Sequence, residues 1–361
     1  MRHLDHGRGF GIGIGLALLA AGAACGNASG GGGDDDDGVT ADGNGATDAK
    51  APADAAGPVP MRFVVLGDTG EGSPTQAQVA GVMKNVCDAA GGCEFALLLG
   101  DNIYDTGATS TMDPQFQSKF EVPYANLDMP FYAVLGNHDY GGEILTLPVG
   151  GLGNEWNKGP NEVAYTQISN KWEMPATHYT LRKGNVGFIA IDTNSILWSN
   201  TQHGDQRPWY LTALAAVADA DWKILLGHHP YRSNGQHGNA GDYDAPEILG
   251  IPIPNPLPIQ GGDDLKAWFD DVVCGTVDIY MSGHDHTRQW LNEPSALCGA
   301  EMIVSGAGAK VTAFVDRGNA NFWQDDQTEG FLFVEVVGKR LTGRFYDKTG
   351  AMNFERSITR P

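Results

Sequence analysis

The chain has 361 residues, 42% of them hydrophobic, which suffices for the core of one large domain with non-domain ends. Acidic residues outnumber basic ones 44 to 23, for a net charge of -21. This argues against a nucleic-acid-binding surface, because phosphate backbones are gripped by Lys and Arg. An anionic substrate then has to be captured by a local positive centre, which metal ions would supply.

At the amino terminus Arg2 and Arg8 precede an apolar Gly/Ala-rich run, Phe10 to Ala24, that is followed by Cys25. This is the layout of a secretory signal peptide over residues 1–25, and the run is too short for a membrane span. Small residues before Cys25 resemble a bacterial lipoprotein cleavage box, with Gly22 where Leu is usual. The expectation is an exported protein, either a lipoprotein anchored at Cys25 in the periplasm or on the cell surface, or a freely secreted one. Residues 26–60, rich in Gly, Ala, Asp and Pro, hold almost no large apolar side chain and cannot offset the entropy of folding. They read as a linker to a catalytic domain over 61–361, expected as a monomer. Four cysteines remain. Of their three possible pairings, the short loops favour Cys87 with Cys93 and Cys274 with Cys298, while the spacing is wrong for a zinc knuckle.

In chain order, Met61 to Leu66 reads as a buried strand running into Gly67 and Asp68, and Pro74 to Ala90 as a helix with Val79, Val82, Met83 and Val86 on one side. The same kind of strand end recurs: Phe95 to Leu99 before Gly100 and Asp101, Phe131 to Leu135 before Gly136 and Asn137, Ile224 to Leu226 before Gly227 and His228, and Val277 to Met281 before Gly283 and His284. Helices are expected near 114–127, 207–219 and 263–273, and the Pro-rich stretch 251–260 as a loop. Alternating strands and helices imply an α/β sheet whose ligands sit beyond the carboxyl ends of the strands, so five polar ends would meet on one rim. Hairpin material at 179–182, 186–192, 302–304, 330–337 and 341–346 predicts a second sheet packed on the first.

Singly, an Asp after a strand and a Gly is often a cap or turn residue, and a His-x-His pair such as His284 and His286 is often superficial. Together, these carboxylate, imidazole and phenol donors form a set suited to hard and borderline metal ions. Tyr104, three residues after Asp101, adds a phenol, whose anion is a poor ligand for Zn²⁺ or Mg²⁺ and a good one for Fe³⁺.

Five segments, Gly67-Asp68-Thr69-Gly70, Gly100-Asp101-Asn102-Ile103-Tyr104, Gly136-Asn137-His138-Asp139, Gly227-His228-His229-Pro230 and Gly283-His284-Asp285-His286, resemble the ordered motifs of purple acid phosphatases within the calcineurin-like metallophosphoesterases. The likeness spans roughly 61–358 and is nearest the small, mammalian-type, tartrate-resistant branch. It implies an α/β fold in which a two-sheet β-sandwich is flanked by helices (four layers, αββα). It also implies Fe³⁺ held by Asp68, Tyr104, His286 and bridging Asp101, and a divalent ion (Fe, Zn or Mn) held by Asp101, Asn137, His228 and His284. Gly70 stands where the wider superfamily has a His ligand, and Tyr104 fills the gap.

The expected reaction is hydrolysis of small phosphate monoesters, with His138 and His237 binding phosphate oxygens or protonating the leaving alkoxide. Gln236 stands where that branch often has an acid. His229, His178 and His203 read as loop residues. The alternatives are a phosphodiesterase or nucleotide hydrolase on the same site, or a catalytically silent phosphate-binding lipoprotein.

Overall fold

The computed structural model describes residues 58–361, except 200–202, 245–246, 249–250, 253–256, 293–297 and 316. The signal segment, Cys25 and nearly all of the linker lie outside the described residues.

Two seven-stranded sheets lie face to face. The first runs, edge to edge, Met352–Thr359, Arg340–Asp347, Gly330–Val337, Met61–Leu66, Phe95–Leu99, Phe131–Val134 and Trp172–Glu173. The second runs Asn321–Asp325, Arg288–Leu291, Glu301–Ser305, Ile279–Ser282, Trp222–Leu226, Val186–Ala190 and Tyr179–Lys183. At the centre of each sheet, three strands followed by motif residues or their supports are parallel: Met61–Leu66 with Phe95–Leu99 and Phe131–Val134, and Trp222–Leu226 with Ile279–Ser282 and Glu301–Ser305. The mixed sandwich with flanking helices is the expected fold class.

Side-chain alternation explains the layering. Phe188, Ala190, Ile224, Leu226, Ile279 and Met281 face the first sheet within one core, whereas Ile189, Leu225 and Tyr280 turn the other way, into a second core with Tyr210, Leu265 and Trp268 from the helices. Phe188 meets Phe63 and Phe95 of the facing sheet edge-on, with ring centroids 5.5 and 5.7 Å apart. The helix Pro74–Ala89 starts as its sequence predicts, with Ser73 accepting from the Gln76 amide and Pro74 in the first turn, and it buries Val79, Ala80, Met83 and Cys87. Disulfides join Cys87 to Cys93 and Cys274 to Cys298.

Several expected elements differ. The five motif-bearing strands do not share one sheet: three end in the first and two in the second, so the rim is formed by both layers of the sandwich. The helix expected at 114–127 is only the π-turn Gln117–Glu121, where the Lys119 carbonyl accepts from the Gln76 side-chain amide and the Lys119 ammonium donates to the Tyr104 carbonyl. The helix at 263–273 is the α-turn Asp263–Trp268 followed by a π-turn, Phe269–Val273. Within the predicted loop 251–260, Ile251–Pro252 pairs with Glu247–Ile248, and Pro258–Gly261 forms a helical turn. The short helices Gly159–Tyr165 and Thr193–Leu197 lack the apolar periodicity that would have announced them.

Candidate metal centre

Each of the five strands delivers its residue through a tight turn. Asp68, Asp101 and His284 have φ of 57°, 53° and 67°, a left-handed conformation that non-glycine residues adopt at a cost and that clusters at functional sites. These turns fold the two sheet ends toward one another. Within the sheets the Gly283 amide donates to the His228 carbonyl and the Asp68 amide to the Gly100 carbonyl; between them the Gly67 amide donates to the Ser305 carbonyl and the His284 amide to the Asp68 carboxylate.

Gly70 is required by proximity. A Cβ there would lie 2.1 Å from the Asn102 carbonyl oxygen, because the Asp68 and Tyr104 loops are laced together by Gly70 N to Asp101 O and Tyr104 N to Gly70 O, both 3.0 Å. The side chain that would occupy this position is therefore replaced by the phenol arriving from the opposite loop.

All seven candidate ligands converge. The Tyr104 hydroxyl lies 3.0 Å from Asp68 Oδ1, 2.9 Å from Asp101 Oδ2 and 3.2 Å from His286 Nε2. One hydroxyl hydrogen can serve only one of these acceptors. On the other side of Asp101, His228 Nε2 lies 3.3 Å from Asp101 Oδ2, 3.0 Å from Asn137 Oδ1 and 3.2 Å from His284 Nδ1. Two clusters of electron-pair donors thus share the Asp101 carboxylate. Orientation is set from outside: His228 Nδ1 donates to the Leu99 carbonyl, leaving Nε2 to face inward, and the Asn137 amide nitrogen donates to Gly151 O, leaving its oxygen to do the same.

The electrostatics are those of a site built around cations. Burial first, then the neighbouring Asp101 charge, pushes the Asp68 carboxyl up to about 8 against the pull of His228. Burial with Asp101 and Asp68 lifts the Tyr104 phenol well above its ordinary range. Burial opposes a charge on His228, yet the adjacent Asp101 raises it to about 9. Protons thereby hold together donors that a metal ion would otherwise neutralise. Burial keeps His284 neutral, and burial followed by the Lys310 charge lowers His286 to about 3, so both imidazoles have a lone pair available. The donor set of carboxylate, phenol, amide oxygen and imidazole suits Fe³⁺ beside a divalent ion.

Asp101, Asn137, His284 and His286 form the floor of a cavity of about 230 Å³ walled by His138, His237, Asp244, Gly150, Gly151, Ile259 and Gln260. His138 Nδ1 donates to the Asp105 carbonyl, 2.9 Å away, and Gly151, at φ 77°, leaves Nε2 uncovered where a Cβ would lie 2.5 Å away. His237 packs on the His284 ring and binds Asp244 through Nδ1 at 2.5 Å. Burial works against a charge on His237, but the Asp244 hydrogen bond and the Asp285 and Asp68 charges prevail and raise its pKa. A larger cavity, 490 Å³, lies on the outer flank under helix Pro74–Ala89, where Arg62 is tied to Glu335. It contains none of the converging donors.

Three contributors escaped the sequence reading. Asp139 accepts from the amides of Asn102, Ile103 and Gly136, fixing two of the donor turns; its place in the Gly136–Asp139 segment was the available signal. Asp244 comes from a loop and Thr193 from the start of the helix Thr193–Leu197, neither within a motif. His229 is fully buried and pairs with Thr193 through Nδ1. His178 packs on Trp209 and His203 on Tyr140, and neither lines the cavity.

The family model of the calcineurin-like phosphoesterases matches residues 61–288. The chain belongs to this family. Purple acid phosphatase 3 of Arabidopsis thaliana is 30% identical over 308 residues, covering 80% of this chain and 75% of the relative. Human tartrate-resistant acid phosphatase type 5 is 26% identical, covering 85% and 93%. The solved purple acid phosphatase PPD1 of yellow lupin seeds superposes with a TM-score of 0.59 at 17% identity, covering 84% of this chain and 54% of that one, a likeness that carries the fold alone. The similarity to purple acid phosphatases therefore extends well beyond the motif residues, through most of the sandwich.

Proposed function

We propose that this protein is a binuclear acid phosphatase that hydrolyses small phosphate monoesters. Asp68, Tyr104 and His286 would hold Fe³⁺, Asn137, His228 and His284 a divalent ion (Fe, Zn or Mn), and Asp101 would bridge them. The observation that carries this reading is the Tyr104 hydroxyl at 3.2 Å or less from three other donors, on one side of a carboxylate shared with a second donor cluster.

Two cations bound there would supply Lewis acidity toward the phosphoryl oxygens and acidify water. The protein's own groups do the rest. His138 and His237, whose pKa is raised, both line the cavity, placed to bind phosphoryl oxygens and to give a proton to the departing alkoxide. Asp244 takes the place of the acid missing at Gln236: it reaches His237 from seven positions along the turn rather than from the adjacent one. Gly150 lets the 141–153 loop close against Asp105 and Gly151 against His138 and Asn137, so the cavity accommodates a phosphoryl group with a small alcohol.

The deciding experiment is metal analysis with a visible spectrum of the oxidised protein. Iron together with a purple or pink colour that Tyr104→Phe bleaches is the expected result. Two zinc ions, no iron and no colour would refute the ferric assignment even in an active enzyme. We further propose export, with lipid attachment at Cys25. Radiolabelled fatty acid should enter the full-length protein in a bacterial host and not the Cys25→Ser variant; a soluble, unlabelled wild type would remove the anchor.

A further inference from the structure

Over the face of the Tyr104 ring lies a cation that the reaction does not use. The Lys310 ammonium sits 3.5 Å from the ring centroid. Its backbone is not free to drift. The segment after strand Glu301–Ser305 is stitched to the turns that carry Asp68 and His286, by Gly308 N to Gly67 O and Thr312 N to His286 O, each 3.1 Å. Gly308 lies so close to the Asp68 turn that a Cβ would stand 2.5 Å from the Gly67 carbonyl. From this strap Lys310 reaches across Tyr104 and meets Glu71, on the Asp68 loop, at 2.5 Å. Both side chains are about one-third exposed, so the pair is partly screened, while the ring between it and the centre is buried.

A cation over an aromatic face is attracted to the ring electrons, more strongly when the ring is desolvated and more strongly still when it is a phenolate. Lys310 lies over the face of Tyr104, and its charge also acts on Asp68 and His286. Those are the three side chains assigned to one metal and not shared with the other.

We infer that Lys310 is a positioning residue that tunes the Tyr104 phenolate, and that Glu71 sets how much of the Lys310 charge the ring feels. This rests on the ferric reading above. The ammonium stabilises the ring electrons that are donated to the metal, so more energy is needed to transfer them, and the colour band lies at shorter wavelength than an uncapped phenolate would give. The same charge opposes the ferric more than the ferrous state and raises the one-electron potential of that ion.

The test compares the metal-loaded protein with its Lys310→Met, Lys310→Arg and Glu71→Gln variants by visible spectrum and by potential against an electrode. Lys310→Met should move the band to longer wavelength and lower the potential. Glu71→Gln, which removes the counter-charge, should do the reverse on both, and Lys310→Arg should stay near wild type. Opposite shifts from the two halves of one ion pair cannot come from loosened packing. If Lys310→Met fails to fold, the Glu71→Gln shift decides alone. A coloured wild type whose band is unmoved in Glu71→Gln, or moves the same way in both charge-removing variants, overturns the inference and leaves the ferric reading standing. A colourless wild type overturns both.

Discussion

Asn137 holds its amide oxygen 3.0 Å from Nε2 of His228, while each residue's other nitrogen is committed to a backbone carbonyl, Gly151 and Leu99 respectively. Two inward-facing donors are thereby fixed before any ion arrives, and His284 Nδ1 completes the group from 3.2 Å. Asn137→Ala and His284→Ala should each lower divalent-metal occupancy, with hydrolysis falling by roughly 10²-fold or more, in the range for loss of metal-site partners. Iron content should persist in both. Equal loss of both metals would show that the two donor clusters are not separate sites.

The close passage of two loops at Gly70 gives a second prediction. Gly70→Ala places a methyl group 2.1 Å from Asn102 O and 2.5 Å from Ile103 N, so the Asp68 and Tyr104 turns must separate. Overpacking of this kind costs about 1–3 kcal/mol. The melting temperature should drop, and the visible band should weaken as the phenol retreats. Gly81, within helix Pro74–Ala89, has no atom within 4 Å of the corresponding position. Gly81→Ala should stabilise the protein by about 0.5–1 kcal/mol with an unchanged spectrum, since a helical glycine carries extra backbone entropy in the unfolded chain.

The fold and the seven donors were legible because the same local grammar repeats: a run of large apolar residues, a glycine, then a polar side chain. That grammar says where a strand stops, and not which sheet the strand joins. Hence Asp68, Asp101 and Asn137 come from one sheet and His228 and His284 from the other, although all five precursors look alike. What was illegible has a common cause. Asp244, Lys310 and the Gly150 and Gly151 wall act through loops whose course is set by tertiary packing, and no periodicity marks a loop that closes over a site. The helix expected at 114–127 failed for a related reason: its sequence propensity is overridden where Lys119 turns to hold the Tyr104 carbonyl.

Metal removal should make stability depend on alkaline pH. Without cations, Asp68 keeps its proton to about 8 and His228 to about 9, against ordinary values of 3.8 and 6.5. Both folded values are raised, so each group contributes stability that is fully present below its unfolded pKa and is lost as the pH rises through the folded one. His284 and His286, which are depressed, finish titrating in the unfolded chain near 6.5 and add no slope above it. Between about pH 7 and 9 the metal-stripped protein should therefore lose melting temperature steadily, each retained proton contributing a slope of up to about 1.4 kcal/mol per pH unit. The metal-loaded protein should stay flat, because cations replace the protons. Parallel melting curves for the two forms across this window would contradict the electrostatic account of the centre.

His237 separates proton donation from metal holding. Its ring packs on His284 with centroids 4.2 Å apart, yet its Nδ1 is engaged by Asp244 at 2.5 Å and its amide by Asp285 at 2.7 Å, so it is oriented from the side away from the donor clusters. The Asp244 hydrogen bond and the surrounding carboxylates outweigh burial and keep the imidazole protonated above its ordinary range. A protonated histidine on the cavity wall matters most where the alcohol departing from phosphorus is a weak acid and needs a proton as the bond breaks. His237→Ala should retain both metals and the visible band. With alkyl phosphates its kcat should fall by roughly 10²–10⁴-fold, the usual worth of a positioned acid. With aryl phosphates bearing strongly acidic phenols, which leave unaided, the loss should shrink toward parity. A uniform loss across leaving groups, with metals intact, would instead make His237 a phosphate-binding residue, and proton donation would then fall to His138, whose Nε2 faces the same cavity.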